Sequence, residues 1–330
     1  MSAAAIIGVA AAVVAGRYVV ARRALAHVAP DLRSPVLPFV AAPSNRSTLL
    51  VTRMATRLPT PAGAGVTVTT RRIGDPGFRV LITTPTEHRS SRPAVLWLHS
   101  GGFVVGSPQL EAMITGQIAR EAGAIVVSPE YRLAPEHPFP AALDDCIATL
   151  TWMRAYADLL GIDADRVLVG GASAGGGLAA TVAQRSHDEG VRLLGQALVY
   201  PMLDDRTVLR DDHGGRGRFL WTPAANRFGW SAYLGHQPRL PGAARYASAA
   251  RRPDLDGLPA AWLGVGDLDL LYDEGVAYAD RLTASGVPCE LIAVPGMYHG
   301  ADAVAARALS MKTFRASMLN FIRTQLGQAD

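Results

Sequence analysis

The chain has 330 residues, 49% of them apolar and 18% charged, enough apolar material for a large core and too little charge for a disordered chain. Its net charge is +4 and Lys312 is its only lysine; the arginine pairs Arg22-Arg23, Arg71-Arg72 and Arg251-Arg252 are scattered and not interleaved with stacking aromatics, which argues against a nucleic-acid partner. Two cysteines, Cys146 and Cys289, make no disulfide framework, and without a Cys-x-x-Cys, His-Glu-x-x-His or acidic calcium loop neither a metal nor a cofactor is expected.

Ser2 to Ala15 is an uncharged Ala/Val/Ile run, extended by Tyr18-Val19-Val20 and closed by Arg22-Arg23. It is short for a spanning helix and lacks the basic region that opens a secretory signal. It reads first as a cap helix of a cytoplasmic protein. The alternative is weak membrane association through residues 2–20, with the arginines holding the protein on the cytoplasmic side.

From Val66 onward, short β-rich apolar runs alternate with helical patterns. The expected strands are Val66 to Thr70, Phe78 to Thr83, Ala94 to Leu98, Ala124 to Ser128, Arg166 to Gly170, Gln196 to Tyr200, Ala261 to Val265 and Cys289 to Val294, with helices such as Ala141 to Asp158 and Asp273 to Ser285 between the later ones. Such alternation predicts an α/β fold with a mostly parallel sheet and its reactive loops at the strands' carboxyl ends. The first two runs, joined by Gly74-Asp75-Pro76-Gly77, predict an antiparallel hairpin at the sheet edge. Residues 1–60 and 203–250 break the alternation and are expected to pack together as a cap over a catalytic unit formed by 61–202 and 251–330. Within the insertion, the polar tract Asp211 to Arg218 reads as a mobile loop, and a long insert after a strand end is also where substrate selectivity usually sits; both readings can hold.

Gly170-Gly171-Ala172-Ser173-Ala174-Gly175-Gly176 lies between the strand ending at Gly170 and an Ala-rich helix. Small residues there permit the sharp strand-to-helix turn that exposes a serine hydroxyl as a nucleophile. A hydroxyl needs a base to take its proton, and in this arrangement the acid and the histidine follow the serine in chain order. Of the histidines at 27, 88, 99, 137, 187, 213, 236 and 299, only His299 follows the last strand, and it is the expected base. Gly266 to Gly275 offers four carboxylates. Asp273 and Glu274 read as first-turn acids of a helix and Asp267 sits closest to the strand end, so Asp269 is the expected acid and Asp267 the fallback. His99-Ser100-Gly101-Gly102-Phe103 follows another apolar strand; its glycines expose backbone N–H groups, and Gly101, Gly102 and Ala174 are the expected oxyanion donors, with His99 orienting the loop.

With these motifs in place, the chain resembles the hormone-sensitive lipase-like branch of the α/β-hydrolase esterases, marked by a His-Gly-Gly-Gly loop and a Gly-Asp-Ser-Ala-Gly-Gly elbow. Tyr131 to Ala142, Tyr200 to Arg206 and Asp269 to Gly275, where that family carries its acid, are similar as well. The resemblance implies an α/β-hydrolase fold, an eight-stranded mostly parallel sheet flanked by helices with a helical cap. It also implies a serine carboxylesterase acting on short- to medium-chain acyl esters, with homodimers common and Cys289 to Leu326 as the candidate contact. Other readings of the same triad are an amidase or lactonase, and a silent ligand-binding relative. Four positions depart from the family pattern: Ser100 replaces the first glycine of the loop, Ala172 the acidic neighbour of the serine, Glu130 an aspartate, and Ala301 a phenylalanine.

Overall fold

The computed structural model describes residues 24–327 apart from 57, 75, 76 and 90. The N-terminal run at 2–20 and the centre of the Gly74 to Gly77 turn therefore lie outside the described residues. Among those described, no helix is long and apolar enough to cross a membrane.

All eight expected strands are present: β1 (Val66–Ile73), β2 (Phe78–Pro85), β3 (Arg92–Leu98), β4 (Ile125–Pro129), β5 (Ile162–Ala172), β6 (Gln196–Val199), β7 (Ala261–Gly266) and β8 (Cys289–Val294). They form one sheet in the order β1-β2-β4-β3-β5-β6-β7-β8. β1 and β2 pair antiparallel as expected, and β2 also runs antiparallel to β4, while the remaining pairings are parallel. Every residue of β3, β4, β6 and β7 is buried, because helices cover both faces of the parallel part. β1, at the edge, is exposed along most of its length and carries the polar run Thr69-Thr70-Arg71-Arg72, whose charges discourage edge pairing with another chain.

Strand ends fall within three residues of the sequence reading except at the start of β5, and one long helix stops early. β5 starts four residues early, at Ile162. The helix expected to run from Ala141 to Asp158 stops at Ala155; Tyr156 leaves helical geometry, and a second turn, Ala157–Leu160, ends on Gly161 in the left-handed conformation.

From β3 the chain crosses to β4 on one side and later returns to β5 on the other, so the strand order reverses between β3 and β5. At such a switch point the loops leaving the carboxyl ends part and open a crevice. The His99 loop leaves β3 and Ser173 leaves β5 at this place. The two irregular segments meet where Ala41 bridges Leu220, with the Ala42 N–H donating to the Leu220 carbonyl over 2.9 Å.

Candidate active site

Ser173 joins β5 to the helix Ala174–Asp188 with φ +56° and ψ −119°, a conformation that L-residues rarely adopt. The turn is held at both ends, since the Ser173 N–H donates to Val199 O (2.8 Å) and its carbonyl accepts from Gly177 (3.0 Å) and Met202 (2.9 Å). The flanking glycines are there for space. A Cβ on Gly175 would fall 2.0 Å from the Leu98 carbonyl oxygen, and one on Gly171 2.5 Å from the same atom, so the elbow presses directly against the end of β3.

His299 follows β8, and its Nε2 lies 2.9 Å from Ser173 Oγ. Its Nδ1 lies 2.8 Å from Asp269 Oδ2, whose other oxygen accepts the Leu271 N–H over 2.9 Å. Asp269 is fully buried and His299 nearly so. The Tyr200 and Trp221 rings stand 4.6 Å and 5.9 Å from the imidazole, centroid to centroid, and shield it from water.

The other three carboxylates of the acid loop are engaged elsewhere. Asp267 Oδ1 accepts the Gly296 N–H over 2.7 Å and ties the acid loop to the loop leading to His299. Asp273 pairs with Arg210 and Arg216 of the insertion. Glu274 is no surface first-turn acid: it is buried, accepts the N–H groups of Leu203 (2.7 Å) and Asp204 (3.2 Å) and the Thr207 hydroxyl, and burial pushes its carboxyl up to about 8. The Asp211 to Arg218 tract is also anchored to this loop, through Gly217 N–H to Leu268 O (3.1 Å) and Arg216 Nε to Asp267 O (2.9 Å).

Facing the elbow, Gly101 and Gly102 have φ +129° and +59°, values that favour glycine. Their N–H groups donate to no acceptor among the described residues. Ala174 opens its helix, so its N–H has no carbonyl one turn back to reach. His99 is buried, stacks on Tyr131 with centroids 4.0 Å apart, and places Nδ1 2.8 Å from the Ser100 carbonyl oxygen. Burial pushes its pKa down to about 4, so the ring is neutral at pH 7 and Nδ1 carries the proton it donates.

Glu111, Tyr131 and Asp302 complete the surroundings. Glu111 accepts the Ser100 N–H and the Trp97 indole N–H, each over 2.6 Å. The Tyr131 hydroxyl donates to His99 O (2.7 Å) and the Tyr200 hydroxyl to Asp302 Oδ1 (2.7 Å). Sequence reasoning missed Glu111, although it is the only acid between Gly101 and Arg120. Glu130 pairs with Arg79 away from the site, and Ala301 is fully buried. Among the described residues no cluster of His, Cys, Asp or Glu could hold a metal ion, and both cysteines are free thiols.

A mostly parallel sheet with a strand-to-helix serine elbow at its switch point, and a histidine and acid arriving from later strand ends, is the α/β-hydrolase arrangement. A family model described as alpha/beta hydrolase fold matches residues 95–303. Esterase LipI of Mycobacterium tuberculosis is 36% identical over 234 residues, covering 69% of this chain and 71% of its own length. Carboxylesterase NlhH of the same organism is 36% identical over 231 residues, 67% of this chain and 70% of its own. A solved structure of a bacterial heroin esterase superposes with a TM-score of 0.82 at 35% identity, over 92% of this chain and 99% of that one. The chain belongs to the α/β-hydrolase family, among the esterases of its hormone-sensitive lipase-like branch.

Proposed function

We propose that the protein is a serine carboxylesterase that hydrolyses short- to medium-chain acyl esters through an acyl-enzyme on Ser173. The observation that carries this reading is the unbroken relay from Ser173 Oγ to His299 Nε2 at 2.9 Å and from His299 Nδ1 to Asp269 Oδ2 at 2.8 Å. Ser173 Oγ attacks the ester carbonyl carbon while its proton passes to His299 Nε2, and Asp269 holds the imidazole tautomer and balances the imidazolium. The carbonyl π electrons move to oxygen, and the resulting oxyanion is met by the N–H groups of Gly101, Gly102 and Ala174. Its collapse breaks the bond to the alcohol oxygen, which leaves with the proton from His299. Water then attacks the acyl-serine, giving one proton to His299, and the carboxylic acid departs as His299 returns that proton to Ser173 Oγ, ionising in solvent afterwards.

A cavity of ≈ 310 Å³ lies against Ala172 and Tyr200, lined by Trp97, Leu110, Ile114, Phe314 and others. The cap formed by 1–60 and 203–250 over 61–202 and 251–330 belongs to the same proposal, supported by the contact between Ala41 and Leu220. So does a homodimer through the outer edge at β8 and the final helix, which sedimentation would read.

The test is hydrolysis of p-nitrophenyl esters from acetate to palmitate by wild type beside Ser173→Ala. Activity that peaks at short or medium chains and vanishes in the variant is the expected outcome. No serine-dependent turnover at any length would overturn the reading and move weight to an amidase or a ligand-binding relative.

A further inference from the structure

The loop that presents Gly101 and Gly102 is fixed one peptide plane at a time. In a trans peptide the C=O and the following N–H point in opposite directions, so holding one aims the other. In the plane joining His99 to Ser100, the carbonyl accepts the Tyr131 hydroxyl (2.7 Å) and the N–H donates to Glu111 Oε1 (2.6 Å). In the next plane the Ser100 carbonyl accepts from His99 Nδ1 (2.8 Å), which directs the Gly101 N–H the other way. In the third, the Gly101 carbonyl accepts from Val104 (3.1 Å) and Val105 (3.0 Å), which does the same for Gly102. The first plane starts the series, and Glu111 is the only charged group among its partners. The second oxygen of Glu111 accepts the Trp97 indole N–H at 2.6 Å, so the carboxylate also locks the loop to β3.

Glu111 lines the same ≈ 310 Å³ cavity as Ser100 and Ala172. Burial pushes the Glu111 carboxyl up while its two N–H donors favour the ionised form. Asp302 lines this cavity too, so a further carboxylate at 172 would meet like charges in a poorly solvated space.

We propose that Glu111 is a positioning residue for the oxyanion loop, and that the uncharged Ala172 keeps a further carboxylate out of the cavity it shares with Glu111. This rests on the esterase reading of Ser173. It entails that glutamate at 111 and alanine at 172 are one coupled choice: an acid at 172 harms the enzyme more while Glu111 is present than when Glu111 is gone.

The experiment measures kcat and KM on p-nitrophenyl butyrate, and the affinity for an alkyl trifluoromethyl ketone that adds to serine as a hemiketal oxyanion. Wild type is compared with Glu111→Gln, Glu111→Ala, Ala172→Asp and the double variant Glu111→Ala/Ala172→Asp. Glu111→Ala is expected to lower kcat by about 10²-fold, the cost of a misplaced oxyanion donor, with KM little changed and ketone affinity reduced in parallel. Ala172→Asp is expected to lower kcat in the wild-type background and to lower it by a smaller factor, or not at all, in the Glu111→Ala background. The proposal is overturned if Ala172→Asp changes kcat by the same factor in both backgrounds, or if Glu111→Ala folds and leaves kcat and ketone affinity at wild-type values. Should Glu111→Ala not fold, the near-isosteric Glu111→Gln decides, with a loss of kcat at unchanged KM expected and no loss refuting. If wild type itself turns over no ester, the esterase reading fails, and the ketone affinities still decide the role of Glu111.

Discussion

His99 gives the most direct handle on the energetics of the loop. It is 1% exposed, its ring lies flat on Tyr131, and Nε2 has no hydrogen-bond partner among the described residues, so a second ring proton would be buried unpaired. Burial accordingly lowers its pKa from 6.5 to about 4. The unfolded chain therefore binds more protons than the native one between about pH 4 and 6.5, and stability is lost as pH falls through that window. From pH 6.5 to 5 the titration spans about 1.5 units at about 1.4 kcal/mol each, or roughly 2 kcal/mol. Glu111 and Glu274, raised by burial, act with the opposite sign and gain stability as pH falls, so the wild-type profile alone mixes several groups. The difference between wild type and His99→Gln, which keeps a donor for Ser100 but does not titrate, isolates the histidine. Urea unfolding at pH 7, 6 and 5 should show wild type losing about 2 kcal/mol more than the variant on acidification. Parallel profiles would refute the argument that the ring is held neutral by burial.

Two further substitutions separate chemistry from scaffolding. A Cβ on Gly102 would fall 2.2 Å from Trp221 Cη2, at a backbone φ of +59°, so Gly102→Ala must displace either the indole or the N–H it presents; a kcat loss on the order of 10²-fold with an intact circular dichroism spectrum is expected. Asp269→Asn should cost about 10⁴-fold in kcat, because the amide favours the wrong imidazole tautomer. Asp267→Asn keeps an acceptor for Gly296 and should leave kcat near wild type while lowering the melting temperature. Reversed effects at 269 and 267 would move the acid to the fallback position.

The parts of this architecture legible in the sequence are those set by local pattern. β3 to β7 show as apolar runs because both faces of the parallel sheet are covered, and the Ser173 elbow shows as a string of small residues because the turn touches β3 at Leu98. His299 was legible by chain order alone, being the one histidine after β8. What stayed hidden depends on contacts between distant segments. Glu111 looks like an ordinary acid ahead of a helix until the end of β3 closes over it with Trp97 and Ser100. Glu274 has the position of a dipole-stabilised acid, and only the burial of Leu203 to Thr207 against it makes it an anchor. The polar tract at 211–218 has the composition of a free loop, yet Arg216 and Gly217 give it specific partners on the acid loop. The break at Tyr156 follows from backbone geometry in a segment whose residues all accept a helix.

The hidden contacts share a consequence that the motif residues alone would not suggest. Of the four carboxylates between Gly266 and Gly275, Asp269 faces His299, Asp267 holds the Gly296 loop, Asp273 receives arginines of the insertion, and Glu274 receives the strand end where the insertion begins. Arg216 adds a cation over the Tyr272 ring, 4.7 Å from its centroid. The acid loop is thus fastened to the 203–250 segment at several points within a few residues of Asp269. Trp221 of the same segment lies against both Gly102 and His299. The 203–250 segment therefore touches the loop that carries Asp269, the His299 ring and the Gly102 loop at once. Substitutions that alter its packing are transmitted to the Asp269–His299 geometry and to Gly102, and cannot be expected to change substrate fit while leaving turnover untouched.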